Sequence, residues 1–248
     1  MDKVIVITGA SRGIGAATAR LAAQQGYHIC INYHADDQAA QAVLTQVREL
    51  GAKAIAVRAD ASVEDEVAQL FQRVDHELGP VTALVNNAGT IATQSRVDAM
   101  SEFRLLKVMK TNVVGPMLCA KYALLRMARR HGGQGGAIVN VSSVAARLGS
   151  PDEYVDYAAS KGALDTFTVG LAKEVAGDGV RVNGVRPGYI HTGFHALSGD
   201  ADRVAKLEPG LPMGRGGRPE EVAEAILWLL SDKASYSTGS FIDLGGGR

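Results

Sequence analysis

Tyr157 and Lys161 lie four residues apart, just downstream of the pair Ser142-Ser143. On a helix, positions i and i+4 share a face, so the phenol and the ammonium can enter one site. A tyrosine exchanges protons poorly at neutral pH, because its unperturbed pKa is about 10. A nearby cation favours the phenolate and draws that value toward the working range of a general acid–base catalyst. A serine hydroxyl alongside can hold a reacting carbonyl or alcohol in line. Tyr154 has no such partner, since its i+4 position is Ala158. Tyr-x-x-x-Lys by itself is a weak motif, as exposed helices carry such pairs by chance. The rest of the chain raises its weight.

Directly after a first apolar run, Val4–Ile7, come Thr8, Gly9, Ala10, Ser11, Arg12, Gly13, Ile14 and Gly15. Glycines at a strand–helix junction let the backbone bend tightly and approach a pyrophosphate, while the helix start offers free N–H groups. A plain glycine-rich turn would look similar, but its place at the first strand–helix junction favours nucleotide binding. An NAD-preferring site usually has Asp or Glu at the end of the second strand, on the ribose hydroxyl. Here that strand ends Ile31-Asn32-Tyr33-His34, with no carboxylate before Asp36 and Asp37. Arg12 can match a 2′-phosphate. NADP(H) is therefore favoured, and NAD(H) is the alternative.

These groups need elements to position them. Strand-like runs recur at Val4–Ile7, Tyr27–Ile31, Lys53–Ala59, Ala83–Asn86, Ala137–Val141, Val180–Val185 and Phe241–Leu244. Helical spacing fills Ile14–Gln25, Asp37–Leu50 and Val63–Leu78 between them. Apolar strands divided by helices predict an α/β protein with a parallel sheet covered on both faces. The 248 residues carry no Pro- or Ser-rich linker and no internal repeat, which predicts one domain. Lys plus Arg equals Asp plus Glu at 26 each, so the composition makes no electrostatic case for nucleic acid or an anionic membrane. Cys30 and Cys119 sit in apolar runs and read as buried free thiols, in keeping with a reducing cytoplasm. The start, Met1-Asp2-Lys3 and then a strand, is too short for a signal peptide's apolar region.

Taken in register, these residues resemble the short-chain dehydrogenase/reductase family over nearly the whole chain. Thr8 to Gly15 resembles its glycine motif, and Asp60-Ala61, after the third strand, its adenine site. Asn86-Asn87-Ala88-Gly89 resembles the segment lining the cofactor cleft, with Asn32 at the end of the second strand. Pro187-Gly188, Ile190 and Thr192 match the segment beside the nicotinamide amide. Ser143, Tyr157 and Lys161 fall at the catalytic positions, and Asn112 at that of an asparagine that helps position the lysine through water. Strand alternation would turn Ser142 the other way, as a structural hydroxyl. The implied fold is a single doubly wound Rossmann domain over 1–248, with a seven-stranded parallel sheet and helices on both faces. No metal is implied.

The resemblance implies interconversion of a carbonyl and a secondary alcohol by hydride transfer. Ser143 would hold the substrate oxygen, Tyr157 would exchange its proton, and Lys161 would bind the nicotinamide ribose and lower the tyrosine's pKa. The pattern is similar both to 3-oxoacyl-carrier-protein reductases and to glucose 1-dehydrogenase-like sugar or alcohol dehydrogenases. A non-catalytic dinucleotide-binding regulator would be expected to have lost one of Ser143, Tyr157, Lys161 or Asn112. The stretch 190–218, with a short helical pattern at Ala201–Leu207, reads as a substrate loop. In it, His191 and His195 read as solvated. Arg126, Arg129 and Arg130, with Lys173, fit an acidic acyl carrier protein, although solvated helix ends look the same. Apolar faces on helices Met109–Arg130 and Tyr157–Ala176 (Val113, Met117, Ala120, Leu124 and Met127; Leu164, Phe167, Leu171 and Val175) suit packing on the sheet, and the family resemblance adds a homotetramer.

Overall fold

Alternate residues of the first strand face opposite ways, and both faces are apolar. In β1 (Lys3–Ile7), Ile5 and Ile7 enter one core, and Val4 and Val6 the other. A strand of this kind must be covered twice. The computed structural model, which describes residues 3–248, shows how. Met1 and Asp2, which begin the short amino-terminal lead, lie outside the described residues.

The elements follow in alternation: α1 (Gly13–Gln24), β2 (Tyr27–Tyr33), α2 (Asp37–Glu49), β3 (Ala54–Arg58), α3 (Glu64–Glu77) and β4 (Ala83–Asn86). Then come α4 (Glu102–Met109), α5 (Gly115–Met127), β5 (Gly136–Val141), α6 (Ala145–Leu148), α7 (Val155–Val175), β6 (Val180–Pro187), α8 (Arg203–Leu207), α9 (Pro219–Leu230) and β7 (Phe241–Leu244). The strands pair in parallel in the order β3-β2-β1-β4-β5-β6-β7. On one face, Ala19 and Ala22 of α1, Val43 of α2 and Ile226 of α9 pack on Ile29, Val85 and Val139. On the other, Phe71 of α3, Ala123 of α5 and Val175 of α7 pack on Leu84, Ile138 and Val182. Strand order reverses between β1 and β4, and such a sheet opens a crevice at the carboxyl ends of its strands there.

Two boundaries differ from the sequence reading in ways that matter. The helix expected over Met109–Arg130 starts earlier, at Glu102, because the Ser101 hydroxyl caps it by accepting from Arg104 N at 3.3 Å. It ends at Met127, since Ala128 is extended and Arg129–His131 forms a separate 3₁₀ turn. Between α4 and α5 the backbone widens into one π-helical turn, Lys110–Val114, and this turn carries Asn112. The apolar faces are also used differently from the expectation. Ala120, Leu124, Met127, Leu164, Leu171 and Val175 are buried within the fold, whereas Leu106, Met109, Val114, Met117 and Leu125 are exposed. Cys30 and Cys119 are buried free thiols.

Candidate active site

The carboxyl ends of the strands and the segments that follow them enclose a cleft of about 1620 Å³. Its floor begins at the glycine turn. Gly9 has φ +62°, and a Cβ there would come within 2.9 Å of Ala88 Cα, so only glycine fits between the β1 and β4 ends. Gly15 is shut in from behind: a Cβ would lie 2.6 Å from Asn87 Nδ2. Asn87 fastens the turn, its Nδ2 donating to the Thr8 and Gly9 carbonyls at 2.9 and 3.0 Å. The first turn of α1 has neither a side-chain cap nor an acid, so its N–H groups are left for an anion. That donor set fits the pyrophosphate of a dinucleotide.

At the second strand, Asn32 lines the cleft and also ties the sheet together. Its Nδ2 donates to the Val57 and Ala59 carbonyls and its Oδ1 accepts from Gly9 N, so it ties β2 to β3 and to the glycine turn. Asp36 caps α2 by accepting from Ala39 N, and Asp37 accepts from the Tyr33 hydroxyl at 2.5 Å. Arg12 is exposed at the cleft and has no ion-pair or hydrogen-bond partner for its side chain among the described residues. Asp60 is rigid: its carboxylate accepts from Ser62 N and Oγ at 2.9 and 2.7 Å. Burial, the largest single influence, would raise its pKa, but these bonds together with nearby His34 and Lys110 hold the carboxyl below the usual range.

Ser142 and Ser143 both lie past the end of β5, where strand alternation no longer applies. Ser142 Oγ donates to the Lys161 carbonyl, locking β5 to α7. Ser143 Oγ accepts from Ala145 N at 3.1 Å and lies 3.5 Å from the Pro187 carbonyl. Lys161 is buried, and its Nζ donates to the Val141 carbonyl at 2.8 Å while lying 5.6 Å from the centre of the Tyr157 ring. Burial lowers its pKa to about 8, against the pull of Asp165. Tyr157 goes the other way. Desolvation pushes its phenol up to about 12, opposed by the Ser143 hydroxyl. In the chain by itself, loss of water outweighs the expected help from the lysine.

Ser143, Tyr157, Lys161, Pro187, Gly188, Ile190 and Thr192 line the same cleft as Ser11, Arg12, Gly13, Ile14, Asp60, Ala61, Asn87, Ala88 and Gly89. Gly15 and Asn112 stand behind its wall. Asn112 is fully buried; its Oδ1 accepts from Thr90 N at 2.8 Å, and its Nδ2 donates to the Thr90 carbonyl and to Ser160 Oγ. It thus fastens the segment after β4 to α7. Ile190 forms a parallel bridge to Gly217, and the Thr192 methyl lies 3.2 Å from where a Gly13 Cβ would be. His191 contacts Glu208 at 2.7 Å, while His195 is half-buried in the cleft wall. Sequence reasoning missed Phe194, Tyr189 and Arg203, which line the far end. Nothing in a polar loop's spacing marks which side chains turn inward. Among the described residues, no cluster of His, Cys, Asp or Glu could hold a metal, and no helix is long and apolar enough to cross a membrane.

Residues 9–248 match the family described as enoyl-(acyl carrier protein) reductase. The structure of a short-chain type dehydrogenase/reductase from Mycobacterium marinum superposes with a TM-score of 0.92 at 35% identity, covering 99% of this chain and 94% of that one. The chain belongs to the short-chain dehydrogenase/reductase family. Among relatives in it, the uncharacterized oxidoreductase YgfF of Escherichia coli K12 is 55% identical over 99% of both chains. The 3-oxoacyl-[acyl-carrier-protein] reductase FabG of Staphylococcus epidermidis is 35% identical over 100% of this chain and 99% of its own. As a short-chain dehydrogenase/reductase with this set of relatives, the protein is an oxidoreductase, and the family implies a nicotinamide dinucleotide cofactor.

Proposed function

We propose that the protein reduces a small ketone with NADPH, using Tyr157 as the proton donor. The observation that carries this reading is the meeting of Ser143, Tyr157 and Lys161 in one cleft with the glycine turn. The cofactor supplies hydride when bound; the chain's residues handle the oxygen and the proton. Ser143 holds the substrate oxygen by a hydrogen bond. Tyr157, kept protonated by burial, gives its proton to that oxygen as charge develops on it. Lys161 stands beside the phenol and holds the cofactor's ribose. Gly89 leaves a gap between Lys161 Nζ and Asn112 Oδ1, since a Cβ there would lie 3.7 and 3.5 Å from them. A water in that gap returns the proton.

NADPH is supported by the free Arg12 and by the engagement of Asn32, Asp36 and Asp37 elsewhere. A free small substrate is favoured over a carrier-bound one, because Arg126 pairs with Asp75 and Arg130 with Asp178, which halves the basic cluster to Arg129 and Lys173. A homotetramer in the cytoplasm completes the proposal, the assembly being supported by Met117 and Leu125, which are exposed on α5 and do not line the cleft. Dissociation constants of NADPH and NADH for wild type and Arg12→Ala test the cofactor assignment. NADPH is expected to bind at least about tenfold more tightly, with the difference lost in the variant. Tighter NADH binding would turn the reading toward NAD-linked oxidation of an alcohol or sugar.

A further inference from the structure

Beyond the Tyr157 phenol the cleft continues along a row of rings. Successive centroids lie 5.9 Å apart from Tyr157 to Phe194, 6.0 Å from Phe194 to His195, and 6.1 Å from His195 to Tyr189. The row ends between two guanidiniums, with Arg203 5.8 Å and Arg248 5.2 Å from the Tyr189 centroid. A simple apolar acyl chain needs no cation at this place.

Arg203 is the unusual member. It is only 6% exposed, yet it lines the cleft. Arginine is rarely buried to this degree unless paired. Glu153 supplies a pair through Nη2 at 2.5 Å, and the Tyr154 ring lies 5.1 Å away. That contact uses one of five N–H donors. Among the described residues, Arg203 makes no other side-chain hydrogen bond, and none of its nitrogens is sealed off from solvent without a partner. The remaining donors therefore keep access to solvent, on a side chain that lines the cleft.

The nearby acids are already engaged. Glu153, besides pairing with Arg203, accepts from Gln94. Asp200, the next acid along, is held by Lys206, and Glu208 by His191 and the Gly216 backbone. His195 between them is kept neutral by burial and by Arg203, and its Nδ1 has no protein partner.

We infer that the substrate carries a carboxylate, seated on the open edge of Arg203 with Arg248 beside it, while its ketone oxygen sits at Ser143 and Tyr157. This rests on the reductase reading above. A guanidinium fork matches a carboxylate in two parallel hydrogen bonds, which fixes the ligand's direction in the cleft. If Arg203 served only to hold α8 against the loop before Tyr157, it would affect every substrate alike.

The test is kcat/KM with NADPH for two matched pairs, 4-oxopentanoate and 3-oxobutanoate against their methyl esters. Wild type is expected to favour each acid by about tenfold or more, the scale of one charge-assisted hydrogen bond. Arg203→Met should collapse that ratio, Arg203→Lys should recover part of it, and Arg248→Met should lower it. The ratio reads discrimination whatever happens to turnover. If Arg203→Met does not fold, the wild-type and Arg248→Met ratios decide. Reduction of the esters with no preference for the acids would overturn the inference and leave the reductase standing. No turnover of any of the four compounds, with NADPH demonstrably bound, would contradict both.

Discussion

Asp156, the residue immediately before Tyr157, is clasped by Arg104 through two parallel bonds, Nε to Oδ2 at 2.7 Å and Nη2 to Oδ1 at 3.1 Å. Both side chains are largely buried, and the third arm of the guanidinium, Nη1, donates to the Thr93 carbonyl at 2.7 Å. α4, the segment after β4 and the start of α7 are thereby fixed together at the phenol. Removing one partner of a buried pair leaves a charge without compensation. Arg104→Leu is expected to destabilise the fold by about 3–5 kcal/mol. Urea unfolding of Arg104→Leu, Asp156→Asn and the double variant checks this. The double variant should be more stable than the sum of the singles predicts.

Lys161 sets a pH dependence of stability with a definite sign. Its folded pKa, about 8, lies below its ordinary 10.5, so between those values the unfolded chain binds more protons than the folded one. Stability therefore rises with pH across that window, and the penalty for burying the cation is fully present below pH 8. Tyr157, raised to about 12 from 10.0, opposes the trend only above pH 10. Unfolding free energies at pH 7.5 and pH 9.5 should differ by on the order of 1 kcal/mol more in wild type than in Lys161→Met. Equal differences would mean that the ammonium is not desolvated in the fold.

The glycine turn makes a steric prediction. Gly9→Ala must hold a Cβ at φ +62° and 2.9 Å from Ala88 Cα. The expected cost is about 1–3 kcal/mol of stability. NADPH affinity should fall as well, because the same turn would hold the pyrophosphate in the proposed cofactor site. Thermal unfolding and a binding titration on the one variant read both.

Ser143→Ala separates positioning from binding. The hydroxyl already lies against Ala145 N and the Pro187 carbonyl, so its loss should disturb the fold little. Turnover is expected to drop about 10²–10³-fold, the usual effect of deleting one donor to a developing oxyanion. Cofactor affinity should stay close to wild type.

Much of this arrangement was legible in the chain. The β4 and β7 limits and the glycine turn could be read from β-branched runs and glycine spacing, because those patterns are local. The π-helical turn at Asn112 was not, since a single extra residue per turn barely perturbs a 3.6-residue pattern. The buried chain Asn86–Asn140–Thr168, with bonds of 2.9 and 2.8 Å, was also invisible. Its members lie 54 and 28 residues apart and meet only when the sheet assembles. Asn32 was read for its lack of charge, and its further role in holding β2 to β3 could not be read from the sequence. For Tyr157, sequence spacing supplied the neighbouring cation, whereas desolvation, which prevails, is a property of the packed cleft.

The central claim is that Tyr157 moves the proton while other groups hold the cofactor. Single-turnover reduction by Tyr157→Phe, measured beside its NADPH dissociation constant, tests it most directly. The account predicts a rate lower by about 10²–10⁴-fold with NADPH affinity essentially unchanged. An undiminished rate, with cofactor bound as in wild type, would contradict it.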